Sequence, residues 1–248
     1  MRFVAVTHAR YVGALLALLS VWWIGLAIAP LDRQDWLLEN ALLVVAVALL
    51  AGTYRPFPLS RASYTLIFLF LCLHTVGAHY TYAEVPYDRW WASLSGVTFN
   101  EWVGWERNNF DRVAHFSYGL LLSYPIRELF LRIAGVRGFW GYFLPLDLTM
   151  STSALFELIE WLVAEVFGGD LGVAYLGTQG DVWDAHKDMA LATLGALVAM
   201  SATAFVNSRS RRDFADEWNE SLRVKSAAPL REAAPVAVKR AKRAKRRR

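Results

Sequence analysis

Cysteine is almost absent from the 248-residue chain: Cys72 stands alone, which excludes an intrachain disulfide and leaves the redox compartment undetermined. Charged residues are scarce at 19%, whereas apolar residues make up 56% and cluster in long blocks. This composition argues against a soluble protein, because a membrane-spanning helix needs ~20 mostly apolar residues. The sequence therefore predicts an integral membrane protein.

Six apolar segments are long enough to cross a bilayer as helices. They cover residues 11–29, 36–52, 62–82, 113–131, 148–167 and 189–206. Strands of a membrane barrel would be ~10 residues long with alternating polarity, which these segments are not. The sequence predicts an all-α fold, a polytopic membrane helix bundle of about six transmembrane helices.

The first apolar segment has a second interpretation as a cleaved signal peptide. Arg2 and Arg10 precede it, and "AIA" at 27–29 is similar to a cleavage site. However, its apolar core is longer than the ~7–15 residues typical of a signal, and Pro30 follows the cut directly. These features favour a retained first span.

Arginine and lysine in short loops predict the orientation, because such loops are retained in the cytoplasm. The basic residues lie before span one, after spans two and four, and in the tail: Arg2, Arg10, Arg55, Arg61, Arg132, Arg137 and 238–248. All fall on one side of a six-span bundle. We therefore predict a protein of the bacterial inner membrane with both termini cytoplasmic, comprising a transmembrane bundle over 1–208 and a basic, disordered tail over 209–248.

A long outer loop, residues 83–112, separates the third and fourth spans. Its Trp90, Trp91, Trp102 and Trp105 suit the headgroup region of a bilayer, where amphipathic aromatic rings are favoured. We expect a short interfacial helix over the bundle, which either contacts a substrate or serves only as an aromatic lid.

Ionisable residues from four predicted helices gather on the outer side of the membrane. They are His79, Asp111, His115, Glu157, Glu160, Asp181, Asp184 and Asp188. Asp111 and His115 are four residues apart and share a helix face, as do Glu157 and Glu160, three apart. The three aspartates of span six form one stripe if that helix begins by Asp181. The sequence therefore predicts a polar site near the outer leaflet.

A divalent metal is the cofactor that this set of side chains suggests. Carboxylates near the bilayer centre cost ~2.5–3.5 kcal/mol on insertion scales and usually face a bundle interior or a wet cavity. Two adjacent carboxylates repel unless a proton, a basic residue or a cation lies between them. Carboxylates with histidine suit Zn²⁺, Mn²⁺ or Fe²⁺, and carboxylates alone suit Mg²⁺ or Ca²⁺. The candidate metal ligands are Asp111, Glu157, Asp181, Asp188 and His79, and the candidate catalytic residues are His115, Glu160 and Asp184.

Each of these residues also has a purely structural interpretation. Asp181 and Asp184 suit a helix N-terminus, where the helix dipole favours acidic side chains. Asp111 suits an N-cap position, and His79 alone is typical of an interfacial histidine. The glutamate pair could be an ion pair with span four or six.

Four ordered motifs resemble the YjdF-like family of bacterial inner-membrane proteins. They are "GAHYTYAEVPY" (77–87), "NNFDRVAHFSYG" (108–119), "ELIEW" (157–161) and "LGTQGDVWDAHKDM" (176–189). The resemblance covers roughly residues 10–205 and implies a compartment and a fold, without a reaction.

A fainter resemblance is to VanZ-like membrane proteins, which are associated with glycopeptide resistance. Their Asp-Lys-x-x-His pattern is similar to Asp111, Arg112 and His115, and Asp188 fits their last helix, as does Gly195. Glu160 stands where that family has Gln, and Ala192 stands where it has Asn. These two departures argue against shared chemistry, whereas the order of the polar residues still supports a common outer-leaflet site.

The basic tail predicts a partner of its own. Residues 226–237 are rich in Ala and Pro, as in a disordered linker, and the last ten residues carry eight positive charges. Such clusters bind anionic lipid headgroups at ~1 kcal/mol per charge. No nucleic acid is expected, because neither interleaved aromatics nor a folded module accompanies the charge. The oligomeric state is left open.

Three functions fit these features: an enzyme acting on a lipid-linked or cell-envelope substrate at the outer leaflet, a proton- or cation-coupled transporter, and a structural or accessory protein. The ionisable residues lie on one side of the membrane, which favours a site open to the outside. Many transporters contain an internal repeat, but no repeat relates spans 1–3 to spans 4–6 here, so both observations weaken the transporter interpretation. Cys72 sits in apolar surroundings and no hydrolase serine motif occurs. Water activation by a metal or a carboxylate is therefore the enzyme chemistry expected.

Overall fold

A computed structural model describes residues 7–167, 169 and 178–225, and these residues form helices and turns without any strand. The six long helices are α1 (His8–Leu26), α2 (Arg33–Thr53), α3 (Arg61–His79), α6 (Phe110–Ile133), α7 (Trp140–Phe167) and α8 (Asp184–Ser210). The three short helices are α4 (Tyr87–Ser95), α5 (Phe99–Val103) and α9 (Phe214–Ser221). The prediction of an all-α fold is confirmed.

Four of the long helices in the described ranges, α1, α2, α3 and α8, are long and apolar enough to cross a membrane. Helices α6 and α7 have 24 and 28 residues, but both carry several ionisable side chains. The chain is thus a helical membrane bundle, as predicted. The count of six spans and the cytoplasmic termini stay predictions.

Polar contacts between the long helices show how their ends are arranged. The Glu128 carboxylate near the end of α6 accepts hydrogen bonds from the Ser60 backbone N–H (2.9 Å) and the Ser63 hydroxyl (2.6 Å), where α3 begins. The hydroxyls of Tyr118 and Thr152 lie 2.6 Å apart and join α6 to α7. These contacts leave the beginnings of α6 and α8 at one end of the bundle, together with the end of α7.

Helices α6 and α8 make the most extensive helix contact in the described chain. Two glycines make it possible, because a Cβ on Gly119 would overlap the Ala192 carbonyl oxygen and one on Gly195 would overlap that of Phe116. Small residues of this kind let membrane helices approach backbone to backbone. The crossing lies two turns beyond Asp111 and Asp188, so it sets the distance between those aspartates.

Helix α3 ends at His79, so the span predicted over 62–82 is too long at this end. Thr81 and Tyr82 adopt positive φ values of 53° and 52°, which turns the chain back on the helix. The Tyr82 ring then packs against Gly77, where a Cβ would collide with it. The local turn therefore ends the helix before the apolar sequence does.

The helix predicted in the outer loop is present as two short helices, α4 and α5. Thr98 and Glu101 form a capping box at the start of α5. Trp91 stacks on Trp102, 5.7 Å between ring centroids, and both rings are partly exposed. The loop joins the start of α6 through the Asn109 backbone N–H, which donates to a tyrosine hydroxyl of α4 (2.9 Å).

At the other end of the bundle, α9 packs against the start of α7. The Phe139 backbone N–H donates to Ser221 Oγ (2.9 Å), and the Trp218 ring stands edge-on to the Phe139 ring. The segment predicted as a disordered tail thus begins with a helix. Residues 226–248, with the basic run predicted to bind anionic lipid, lie outside the described residues, and the division of the chain at 208 stays a prediction.

Candidate functional site

Asp111, His115 and Asp188 come together where α6 and α8 begin. One ligand atom from each lies within 4.8 Å of the other two. His115 Nε2 is 3.5 Å from Asp111 Oδ1, as the spacing of four residues on α6 predicts. Asp188 is only 2% exposed, and its Oδ1 atom is buried without a hydrogen-bond partner. An unpartnered buried carboxylate oxygen costs free energy, and a bound cation would remove that cost.

Helix α7 adds two glutamates to this group. Glu157 Oε1 lies 3.7 Å from His115 Nε2 and is also buried without a hydrogen-bond partner. The Glu160 side chain lies close to that of Glu157, three residues further along α7. Ser153, one turn earlier on α7, is 2% exposed with its hydroxyl unpartnered. Several carboxylates therefore face a single imidazole, an excess of negative charge that a divalent cation or bound protons would offset.

Two acidic residues of α2 belong to the same region and were missed in the sequence. Asp35 and Glu39 are 2% and 4% exposed, and each has one buried oxygen without a partner. Glu39 lies near enough to Asp111 and Glu160 for these carboxyl groups to repel one another if they are ionised. An ionisable residue inside an apolar span is a signal for a functional site, and the second span contained that signal.

Asp181 and Asp184 are held by basic side chains. Arg107 pairs with Asp184, Arg112 pairs with both aspartates, and Lys187 Nζ lies 2.5 Å from Asp181. Arg107, absent from the sequence-based candidates, also donates from Nη1 to the Thr178 carbonyl (2.5 Å). These pairs connect the segments that lead into α6 and α8.

The single stripe expected for Asp181, Asp184 and Asp188 is wrong at its first member. Helix α8 begins at Asp184, and Asp181 precedes it, accepting a hydrogen bond from the Trp183 backbone N–H (3.0 Å). An aspartate that bonds the chain two residues ahead forms a local turn, which competes with helix formation. Of the three aspartates, only Asp184 and Asp188 lie on the buried face of α8.

His79 lies against α1 instead of joining the group around His115. Its Nδ1 donates to the Leu26 carbonyl (2.7 Å), and its ring stands edge-on to Tyr80. It is not among the residues whose ligand atoms lie within 4.8 Å of one another. The structure therefore brings His115, Asp111, Asp188 and Glu157 together, with Glu160 beside them, and leaves His79 outside.

Substitution of Asp181 by asparagine is expected to lower thermal stability at neutral pH and to have a much smaller effect near pH 2. The Lys187 hydrogen bond, followed by that from the Trp183 N–H, lowers the pKa of Asp181 from 3.8 to about 2. Because the folded-state pKa is depressed, the stabilisation is complete above pH 4 and is lost as pH falls through 2. Unfolding midpoints of wild type and Asp181→Asn between pH 2 and 8 test this. Asp216→Asn, at an exposed position of α9, is the control, and a difference that changes between pH 5 and 8 would contradict the assignment.

Comparison with known proteins gives a family for this chain. Residues 11–209 match the family model described as "Predicted membrane protein (DUF2238)". The chain is 39% identical over 184 residues to the inner membrane protein YjdF of Escherichia coli (strain K12), covering 74% of this chain and 84% of that protein. No solved structure matches the chain. The resemblance to the YjdF-like family and the location in the bacterial inner membrane are thereby confirmed, and the VanZ-like resemblance stays an expectation.

Proposed function

The chain belongs to the DUF2238 family of membrane proteins, and from that premise we propose that it binds a divalent metal ion through Asp111, His115 and Asp188. The proposed site acts on a lipid-linked or cell-envelope substrate at the outer leaflet. The observation that carries the proposal is the approach of these three ligand atoms to within 4.8 Å of one another, with Asp188 Oδ1 buried and unpartnered.

The donor set supports a transition metal better than an alkaline-earth ion. One imidazole with two carboxylates suits Zn²⁺, Mn²⁺ or Fe²⁺, and Glu157 supplies a further carboxylate 3.7 Å from the imidazole. Catalytic zinc sites keep three protein ligands and an open position for water or substrate. A metal held here would supply Lewis-acid activation of water or of a substrate oxygen.

The three candidate catalytic residues differ in the side chains that they contact. Glu160 lies beside Glu157 and makes no ion pair within the described residues. A carboxyl group without an ion-pair partner can take up and release a proton, which supports the predicted role of Glu160 in proton transfer. Asp184 is held by Arg107 and Arg112, so we propose that it orients these guanidinium groups. His115 faces both Asp111 and Glu157, which suits a metal ligand better than the acid–base role expected from the sequence.

The outer loop supports a substrate that lies at the membrane surface. Trp90 and Trp102 are 47% and 67% exposed, and aromatic rings of this kind favour the headgroup region. Asn108 donates to the Val85 carbonyl (2.9 Å) and so fixes the loop beside the start of α6. A lipid-linked substrate would present its polar group at this level while its chains stay in the bilayer.

Metal content of the detergent-purified protein tests the site. Wild type is expected to contain about one transition-metal ion per chain by inductively coupled plasma mass spectrometry. The metal content of Asp188→Asn is expected to be at least tenfold lower. Glu165→Gln is the matched control, because Glu165 is exposed on the same helix as Glu157. Folded wild type that binds no added Zn²⁺, Mn²⁺ or Fe²⁺, or an Asp188→Asn protein that binds as wild type does, would overturn the proposal.

The substrate class requires a separate measurement. Metal-loaded wild type is incubated with a total lipid extract from a bacterial envelope, and lipids are compared by mass spectrometry before and after. We expect one lipid-linked species to be consumed by wild type and by Glu165→Gln, and to persist with Asp188→Asn. Unchanged lipids with a metal-loaded protein would reject the substrate class while leaving the metal site in place.

A further inference from the structure

A cavity of about 720 Å³ opens at the end of the bundle opposite the carboxylate group. It lies between the start of α1, the turn that joins α2 to α3, and the end of α6. Its polar lining consists of His8, Tyr54, Arg55, Ser60, Glu128 and Arg132. We infer that this cavity binds the phosphate group of an anionic phospholipid.

The cavity lining carries a net positive charge because it contains two arginines, Arg55 and Arg132, and one carboxylate, Glu128. Glu128 accepts hydrogen bonds from the Ser60 N–H (2.9 and 3.0 Å), from the Ser63 hydroxyl (2.6 Å) and from Arg132 Nη1 (2.7 Å). Arg132 therefore balances Glu128. Arg55 is exposed and has no hydrogen bond or ion pair within the described part of the chain, so its charge is available to a ligand.

The second arginine is held in position before any ligand binds. The Arg132 guanidinium lies 3.9 Å from the Phe57 ring centroid, and its Nη1 also donates to the Pro58 carbonyl (2.6 Å). The hydrogen bonds of Arg132 to the Pro58 carbonyl and to Glu128 both use Nη1, so the Nη2 donors are left for a ligand. A guanidinium fixed in this way presents paired N–H groups that match phosphate oxygens.

The position of the cavity favours a lipid over a soluble phosphate ester. Helix α1 begins at His8, α2 ends at Thr53 and α3 begins at Arg61, and all three are candidate membrane spans. The cavity thus lies where apolar spans give way to polar chain, the level of lipid headgroups. Basic pockets between transmembrane helices bind anionic headgroups in this way, and pockets of ~300–1,000 Å³ accommodate small ligands.

Lipid titration followed by native mass spectrometry of the full chain tests this inference. Wild type is expected to bind one phosphatidylglycerol at least tenfold more tightly than phosphatidylcholine, and Arg55→Gln to bind phosphatidylglycerol roughly fivefold to tenfold more weakly than wild type. Arg89→Gln removes an exposed arginine from α4 at the opposite end and is expected to bind as wild type does. The basic tail is present in every variant, so its contribution cancels in the comparison of each variant with wild type, and that comparison tests the cavity.

Two outcomes would overturn the inference. One is equal binding of phosphatidylglycerol to wild type and Arg55→Gln, because the cavity charge would then have no role. The other is binding of soluble glycerol 3-phosphate as tightly as phosphatidylglycerol, which would identify a soluble phosphate ester as the ligand. Arg55→Gln loses no described hydrogen bond or ion pair, so its unfolding midpoint is expected to equal that of wild type, and weaker binding reports on the site.

Discussion

Gly119→Ala is expected to prevent the chain from accumulating as a monodisperse folded protein. The added methyl group would overlap the Ala192 carbonyl oxygen and crowd the Ala196 backbone nitrogen across the contact between α6 and α8. Overpacking costs ~1–3 kcal/mol where side chains can yield. Here the obstacle is helix backbone, so the helices must separate and the cost lies at or above the top of that range.

The membrane increases the effect of this substitution. Lipid tails are as apolar as the side chains they replace, so close packing and hydrogen bonds hold membrane helices together. Separation of α6 from α8 would also move Asp111 away from Asp188, so the proposed metal site would be lost together with the packing. We therefore expect Gly119→Ala to lose metal binding even in the fraction that folds.

Gly13→Ala is the matched control for this experiment. Gly13 lies in α1, and nothing is found within 4 Å of a Cβ placed there. Alanine also favours helix over glycine by ~1 kcal/mol, so this variant should be at least as stable as wild type. Size-exclusion profiles after mild detergent extraction and thermal unfolding midpoints give the comparison. Equal midpoints for the two variants would contradict the close packing of α6 on α8.

Arg107→Gln is expected to lower the free energy of unfolding by about 3 kcal/mol, the low end of the ~3–5 kcal/mol for breaking a buried ion pair from one side. The Asp184 side chain is 5% exposed and would lose its principal partner. Arg112, 3.4 Å from Asp184, would compensate in part. At roughly 2–4 °C per kcal/mol for a chain of this size, the unfolding midpoint should fall by about 6–12 °C.

A double substitution separates loss of the ion pair from loss of other contacts. Arg107→Gln/Asp184→Asn removes both charges, so it should recover much of the stability lost in Arg107→Gln. The control is Arg223→Gln. Arg223 pairs with Glu220, and the two side chains are 73% and 57% exposed, respectively. Exposed pairs contribute ~0–1 kcal/mol, so this control should melt close to wild type. A double variant no more stable than Arg107→Gln would assign the loss to the Thr178 bond instead.

Helix content and the outline of the site were readable in the sequence because both depend on spacing. Apolar runs of the length of a bilayer specify helices, since no other element satisfies its backbone in lipid at that length. The i, i+4 spacing of Asp111 and His115 places both on one face of a helix wherever that helix lies. The family that the sequence motifs indicated is confirmed by a relative that is 39% identical over 184 residues.

Helix boundaries were less predictable because local turns decide them. Tyr82 folds back on Gly77 and ends α3 inside an apolar stretch, and Asp181 bonds the Trp183 N–H and delays the start of α8. Each depends on one side chain meeting one backbone group. Hydropathy averaged over a span does not register such a contact.

The sequence by itself determined the class of the protein, its membrane helices and the acidic residues on one side, since each follows from composition or from periodicity along one segment. Only the tertiary structure decided which of these residues meet. It selected Asp188 as the partner of Asp111 and His115, joined Asp181 and Asp184 to arginines, added Asp35 and Glu39, and left His79 against α1. The physical reason is that helix rotation and crossing are set by packing at Gly119 and Gly195, and such contacts join segments far apart in the chain.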